Sequence, residues 1–190
     1  MSTAAVRRRP FDVSEYYRMA EKGILGAEER VELIEGEVLR MSPAGSRHAA
    51  VVNRLTQALT VALADRAVVA VQNPVRLSDF SEPEPDVAVL RPRDDFYAAA
   101  HPTADAVLLL VEVSDSSLSF DRGEKLEVYA RHGVREVWIV DVAGEAIHVH
   151  RRPHAEGWDV QLTYRRGQSL APEAFPELEL TVDRVLGPSV

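Results

Sequence analysis

Residues 107–114 read ValLeuLeuLeuValGluValSer, an apolar run broken by one acid, Glu112. A run of that length and continuity suits a strand whose two faces are both covered. It therefore calls for a layered fold with a sheet at its centre. Side chains alternate along a strand, so Leu108, Leu110 and Glu112 share one face, and Val107, Leu109, Val111 and Val113 take the other. Glu112 becomes a lone carboxylate at the end of a greasy strand. Such a group must bind a cation, pair with a base, take up a proton, or reach water at the strand end. An ordinary strand-end ion pair with an arginine is the plain alternative.

The flanking elements follow from periodicity and turn signals. GluProAspValAlaValLeu (84–90) supplies a short strand led by Asp86, although an Asp after Pro also suits a turn. A helix is expected over Asp12–Ala20. A hairpin is expected over Val31–Met41, turning at Glu35 and Gly36. Val52, Leu55, Leu59 and Ala62 recur at helical spacing within Arg47–Ala64, with Ser46 placed to cap. Asp121 and Glu124 form a capping-box pattern for a helix over 121–132 that Gly133 ends. Strands are expected over Ala67–Leu77, Glu136–Asp141, Ile147–Arg151, Val160–Tyr164 and Leu178–Val182. The order predicts an α+β fold: a mixed central sheet flanked by helices, with a β-rich C-terminal tail. Residues 1–11 read as a disordered arm and 12–190 as one domain.

Composition narrows the partners. There are no cysteines, which excludes disulfides and thiolate metal sites. The longest apolar run, Ala106–Val111, is far too short to span a bilayer, and no N-terminal apolar stretch resembles a secretory signal. A cytoplasmic location and no membrane contact are expected. The net charge of −8 argues against a broad basic surface for nucleic acid, so any such contact must be local. Arg7–Arg9, Arg91 with Arg93, Arg151 with Arg152, and Arg165 with Arg166 are candidates, set against their reading as solvated strand ends.

Only two lysines, Lys22 and Lys125, stand against twenty arginines. Lys125 follows the strand that carries Glu112 and lies beside the apolar stripe of its helix. An exposed helical lysine is the bland reading. With Asp86 and Glu112 it completes an acid, acid, ammonium set. Two carboxylates suit a hard cation that keeps waters and binds phosphate. An ammonium is a compact charge that can deprotonate when desolvated, unlike a guanidinium. Removing Lys125 is expected to cost the fold little. HisValHis at 148–150, with His154, could hold zinc, but nothing in the sequence marks the partners that would orient such ligands. Tyr129 and Trp138 read as core aromatics.

GluProAspValAlaVal, LeuLeuLeuValGluValSerAspSerSer, AspArgGlyGluLysLeuGluValTyrAlaArgHisGlyValArgGluValTrpIleValAsp, ArgValGluLeuIleGluGlyGluValLeuArgMetSerPro and the ending ProGluLeuGluLeuThrValAspArgValLeu together resemble the Uma-type family of restriction-endonuclease-like proteins, over roughly residues 12–187. That family belongs to the PD-(D/E)XK nuclease superfamily. The resemblance implies a restriction-endonuclease-like mixed sheet. It matches Pro85-Asp86 to the PD element and Glu112 to the acid of (D/E)XK. Ser114 stands where many such nucleases place lysine, and Lys125 on the next helix takes that part. It further implies an acid from the hairpin, Glu37 first and Glu35 next. His48, opening the long helix, reads as packing or as a phosphate contact. The implied function is a Mg²⁺- or Mn²⁺-dependent DNA endonuclease. In it, Asp86, Glu112 and the Val113 carbonyl hold the metal, and Lys125 orients or deprotonates water. A homodimer is expected, joined near Trp158 and Tyr164 of the tail. The alternative is a catalytically silent nuclease-fold module that binds nucleic acid or assembles as a homodimer.

Overall fold

A computed structural model describes residues 8–188. Its elements in chain order are α1 (Val13–Glu21), β1 (Val31–Ile34), β2 (Glu37–Arg40), α2 (Ser46–Leu63), β3 (Val68–Val71), β4 (Val87–Leu90) and β5 (Val107–Ser114). There follow α3 (Leu118–Phe120), α4 (Leu126–Arg131), β6 (Glu136–Asp141), β7 (Ala146–His154), β8 (Gly157–Arg165), β9 (Ser169–Leu170), β10 (Leu180–Thr181) and α5 (Val182–Leu186). Six strands form one mixed sheet in the order β3-β4-β5-β6-β7-β8. Only β5 and β6 run parallel; the other neighbours are antiparallel.

The continuous apolar run of β5 is explained by cover on both faces. α2 packs Val51, Leu55 and Leu59 against Val87, Val89, Leu109 and Val111 of the sheet, with the tail residues Leu180, Val182 and Val185 closing the same layer. On the other face, Leu126, Tyr129 and Ala130 of α4 meet Ala88, Leu110, Val137 and Ile139. Glu112 follows Leu110 on this second face, but a β-bulge breaks the expected alternation at the start of β5, so Val107 joins this face and Leu108 the other. The β4–β5 register pairs Val87 with Val111, and one further step sets Asp86 opposite Glu112.

Several local expectations are met and others change. Asp12 caps α1 in a reciprocal capping box with Glu15. The hairpin turns at Glu35 and Gly36, both at positive φ (49° and 78°). α2 begins after Gly45, which makes no side-chain cap, so Ser46 is the first helical residue rather than the cap. The helix expected from Asp121 starts earlier, at Leu118, and widens into a π-turn over Asp121–Lys125 before α4. Asp121 caps nothing: the hydroxyls of Ser114 and Ser117 donate to its carboxylate instead. The tail strand expected over Leu178–Val182 shrinks to two residues, and Thr181 caps the short helix α5 through the Arg184 amide.

Of the arm expected over 1–11, residues 1–7 lie outside the described residues. Residues 8–11 line the hairpin: Phe11 N–H donates to Gly36 O (2.9 Å), and Arg8 pairs with Glu37 (2.7 Å). Trp158 is buried under α4, its indole N–H facing the Leu126 carbonyl at 3.4 Å, so this side chain is used within the chain rather than at an outer edge. No helix among the described residues is long and apolar enough to cross a membrane.

The hairpin is held from outside by the segment before β4. Glu82 N–H donates to Leu33 O (2.7 Å) and Gly36 N–H to Phe80 O (2.7 Å). A Cβ at Gly36 would sit 2.3 Å from the Pro10 Cβ, on a backbone at positive φ. Gly36→Ala should therefore destabilise the protein by about 1–3 kcal/mol through overpacking and strain. Urea denaturation checks this; an unchanged midpoint would show that the hairpin is not locked at this turn.

Candidate active site

One cleft of about 420 Å³ opens where the N-terminal hairpin, the start of α2, the entry to β4, the end of β5 and the π-turn meet. Asp86, Glu112, Val113 and Lys125 all line it. The structure thus brings three of the four side chains expected at the site, and the expected carbonyl residue, to one place.

Lys125 is 4% exposed, and Nζ lies 3.1 Å from Glu112 Oε1 and 2.9 Å from Glu32 Oε2. Glu112 and Glu32 are each 3% exposed. The π-turn aims Lys125 inward. Ser114, two residues beyond Glu112, donates to Asp121 at 2.7 Å and ties the end of β5 to that turn. Tyr129 O–H donates to Glu112 Oε1, so this core aromatic also positions the acid. Among the described residues the contacts to the Glu112 carboxylate fall on Oε1, from Tyr129 and Lys125, which leaves Oε2 for another ligand.

Glu37 lies elsewhere. Its carboxylate is half exposed and pairs with Arg8. Opposite Ile34 it shares the hairpin face of Glu32, but it stands one two-residue step nearer the turn, outside the cleft, where Arg8 takes it. Glu35 sits in the turn, receiving the Ser81 hydroxyl (3.1 Å) and facing Arg131 (3.5 Å). The hairpin acid in the cleft is Glu32. Its Oε2 accepts the Glu84 amide at 3.1 Å, a bond that exists only because residues 80–84 run along β1. The signal was present in the sequence: Glu32 is an acid flanked by Val31, Leu33 and Ile34, the same anomaly that marks Glu112.

Asp86 takes Val113 N–H (2.9 Å) and His48 Nε2 (2.9 Å) on Oδ2, and Gln72 Nε2 (3.1 Å) on Oδ1. His48 is therefore a partner of the acid rather than a packing residue. Backbone N–H and C=O of one strand residue face the same edge, so the Val113 carbonyl also faces the side of Asp86.

The electrostatics divide the acids. Burial pushes the Glu112 carboxyl up to about 8; Lys125 opposes this, and Asp121, Asp86 and Glu32 reinforce it. Burial works to lower the Lys125 ammonium, but Glu112 and Glu32 outweigh it and hold the pKa above its ordinary value. Lys125 is thus kept charged, which argues for a proton-holding donor and against the expected deprotonation of water. Burial works to raise Asp86, but the His48 contact, the Val113 amide and Gln72 outweigh it and depress its pKa. The His48 pKa is raised, chiefly by its hydrogen bond to Asp86.

Among the described residues no three His, Cys, Asp or Glu side chains form a metal-binding group. Mg²⁺ does not need three, since it commonly takes one or two carboxylates and keeps waters. Asp86, the open Oε2 of Glu112 and the Val113 carbonyl fit that modest requirement. The histidines of β7 do not fit zinc. His148 Nδ1 faces Thr163 Oγ1 (3.0 Å), and His150 is buried edge-on to Trp158 with its pKa pushed down to about 4, by burial first. The basic pairs named from sequence are largely engaged within the chain. Arg93 binds Asp95, Arg151 binds Glu136, and Arg166 binds Glu145 and Asp183.

The fold has a solved counterpart, described as a "putative nuclease belonging to DUF820", from Anabaena variabilis ATCC 29413. The two superpose with a TM-score of 0.72 at 16% identity, over 93% of this chain and 98% of that one. That likeness establishes a shared fold. No curated protein matches the chain. A family model, Uma2, described as "Putative restriction endonuclease", matches residues 13–183, which takes in the hairpin, the whole six-stranded sheet and every residue of the cleft. The chain belongs to the Uma2 family of restriction-endonuclease-like proteins.

Proposed function

We propose that this protein is a Mg²⁺- or Mn²⁺-dependent endodeoxyribonuclease that hydrolyses phosphodiester bonds. The observation that carries the reading is the buried ammonium of Lys125 between Glu32 and Glu112, open to the same cleft as Asp86. A protein whose carboxylates served only stability would gain little from this arrangement, because buried ion pairs are weak contributors to stability. Asp86, Glu112 and the Val113 carbonyl would hold the cation, which supplies charge neutralisation at the phosphate and a more acidic water. Glu32 keeps Lys125 charged and aimed. Lys125 donates to a non-bridging phosphate oxygen or orients the attacking water. His48 and Gln72 hold the Asp86 carboxylate in one orientation. DNA is the substrate in this reading, and the protein acts as a homodimer whose clefts address opposite strands.

Three outcomes follow from this arrangement. Asp86→Asn should lower Mn²⁺-dependent cleavage of plasmid DNA by at least about 100-fold, as loss of a metal ligand does. Equal cleavage by wild type and variant would remove Asp86 from the chemistry.

Lys125→Met leaves two buried carboxylates facing each other, so the fold should lose about 3–5 kcal/mol at pH 8. This replaces the small loss expected from sequence. The loss should shrink at pH 5, where the carboxyls take up protons. Denaturation at both pH values decides it, and a pH-independent loss would contradict the charge argument.

Glu112 also sets a pH dependence. Its folded pKa, about 8, lies above the ordinary value of 4.5. The stability it contributes is present below 4.5 and is lost as pH rises through about 8, because the folded state holds the proton more tightly. A cation must displace that proton. The Mg²⁺-induced rise in Tm should therefore grow from pH 6 to pH 8.5 and vanish in Glu112→Gln. A rise of the same size at both pH values would show that Glu112 does not ligate the ion.

A further inference from the structure

Inside the cleft the ammonium is committed: Lys125 faces both Glu32 and Glu112. At the mouth two cations have no such partner among the described residues. Arg30 and Arg40 line the same cleft and are exposed, and neither side chain forms a hydrogen bond or ion pair with a described residue. The Arg30 side chain acts on its surroundings through space, opposing the rise in the His48 and Glu84 pKa values. Many arginines elsewhere behave otherwise: Arg8, Arg66, Arg93, Arg151 and Arg166 each close on an acid of the chain.

The hairpin fixes where the two guanidinium groups stand. Arg30 immediately precedes β1 and shares the strand face of Glu32, one two-residue repeat further out, about 7 Å along the chain. Arg40 ends β2 opposite Val31, and Met41 N–H donates to Arg30 O at 2.8 Å, holding the open end of the hairpin together. Arg30 thus continues the face of Glu32, while Arg40 comes from the other face of the strand pair, and both line the cleft at the open end of the hairpin. Guanidinium is weakly hydrated and shaped to take two oxygens of one phosphate. In a chain of net charge −8, cations left unpaired beside an acidic cleft are matched to an anion that arrives from outside.

We infer that Arg30 and Arg40 form a subsite for a backbone phosphate neighbouring the scissile one, so the ligand is an oligonucleotide with at least two phosphates. The assignment rests on the nuclease reading only for which phosphate is cleaved. The scissile phosphate belongs beside Lys125 and Asp86; the subsite lies outward from it, along the face of β1. The acidic centre then repels a polyanion until the rim arginines and the cation hold it, which makes binding weak and strongly salt-dependent.

The test uses the full chain, with Arg30→Gln/Arg40→Gln and Arg30→Lys/Arg40→Lys as variants. Binding to a 20-base-pair duplex is measured in EDTA across several KCl concentrations. Turnover of plasmid DNA and of bis(p-nitrophenyl) phosphate, which has one phosphate only, is measured in Mn²⁺. The glutamine variant should bind with a log–log salt slope shallower by about 0.9 per arginine, roughly 1.8 in all. The lysine variant should keep most of the slope. Turnover of bis(p-nitrophenyl) phosphate should stay within about twofold of wild type while plasmid cleavage falls. An unchanged slope, or a wild-type protein that does not bind duplex, overturns the subsite. So does a loss of bis(p-nitrophenyl) phosphate turnover as large as the loss on plasmid, which would put the arginines at the scissile phosphate. A wild type inactive on both substrates, with the slope change present, would sink the nuclease reading and leave the subsite standing.

Discussion

The site depends on one buried ammonium. Lys125 sits between Glu32 and Glu112, all three nearly without solvent, and each acid comes from a different part of the chain. Taking three charges out of water is costly, and their attraction offsets that cost only when geometry and hydrogen bonding are good. Here Tyr129 satisfies Glu112, and the Glu84 amide satisfies Glu32. The arrangement couples hairpin, central strand and π-turn, so the position of any one of them affects the others. It also explains why the ammonium stays charged in a setting that would otherwise strip its proton.

The fold serves this cluster by delivering acids from adjacent strands. β4 and β5 are antiparallel, and the ladder ends at Val87, just before Asp86. Val113 N–H therefore lacks a strand partner on that edge and takes the Asp86 carboxylate instead. The end of a ladder is where backbone groups become free for ligands, which is why the cleft forms there. The end of β5 is tied to the turn that carries the lysine: the Ser114 hydroxyl holds Asp121, and the π-turn brings Lys125 to the acids.

Much of this was legible in the sequence. The apolar run around Glu112 forces a covered strand, and a lone acid on such a strand must find a partner. The GluGly turn fixed the hairpin, because both of its central residues need positive φ. Glu32 was harder to see, since its burial depends on residues 80–84 lying along β1, a long-range pairing that local periodicity does not report. Glu37 looked suitable because it shares the hairpin face of Glu32, but it sits one step nearer the turn, where Arg8 takes it. Asp121 followed the pattern of a helix cap. Its hydroxyl partners lie four and seven residues back, and they drew it into the site region. Sequence spacing also could not show that Arg30 and Arg40, ten residues apart, line one cleft while the arginine pairs adjacent in sequence are largely engaged within the chain.

The central claim is that Asp86 and Glu112 share one divalent cation beside Lys125. Crystals soaked in Mn²⁺ and measured at an anomalous wavelength test it directly. The account predicts one strong peak in the cleft, with oxygens of Asp86, Glu112 and the Val113 carbonyl at about 2.0–2.3 Å, between the spacings typical of Mg²⁺ and Ca²⁺ ligands. A cleft with no peak, or a peak bound only by exposed acids such as Glu37, would contradict it.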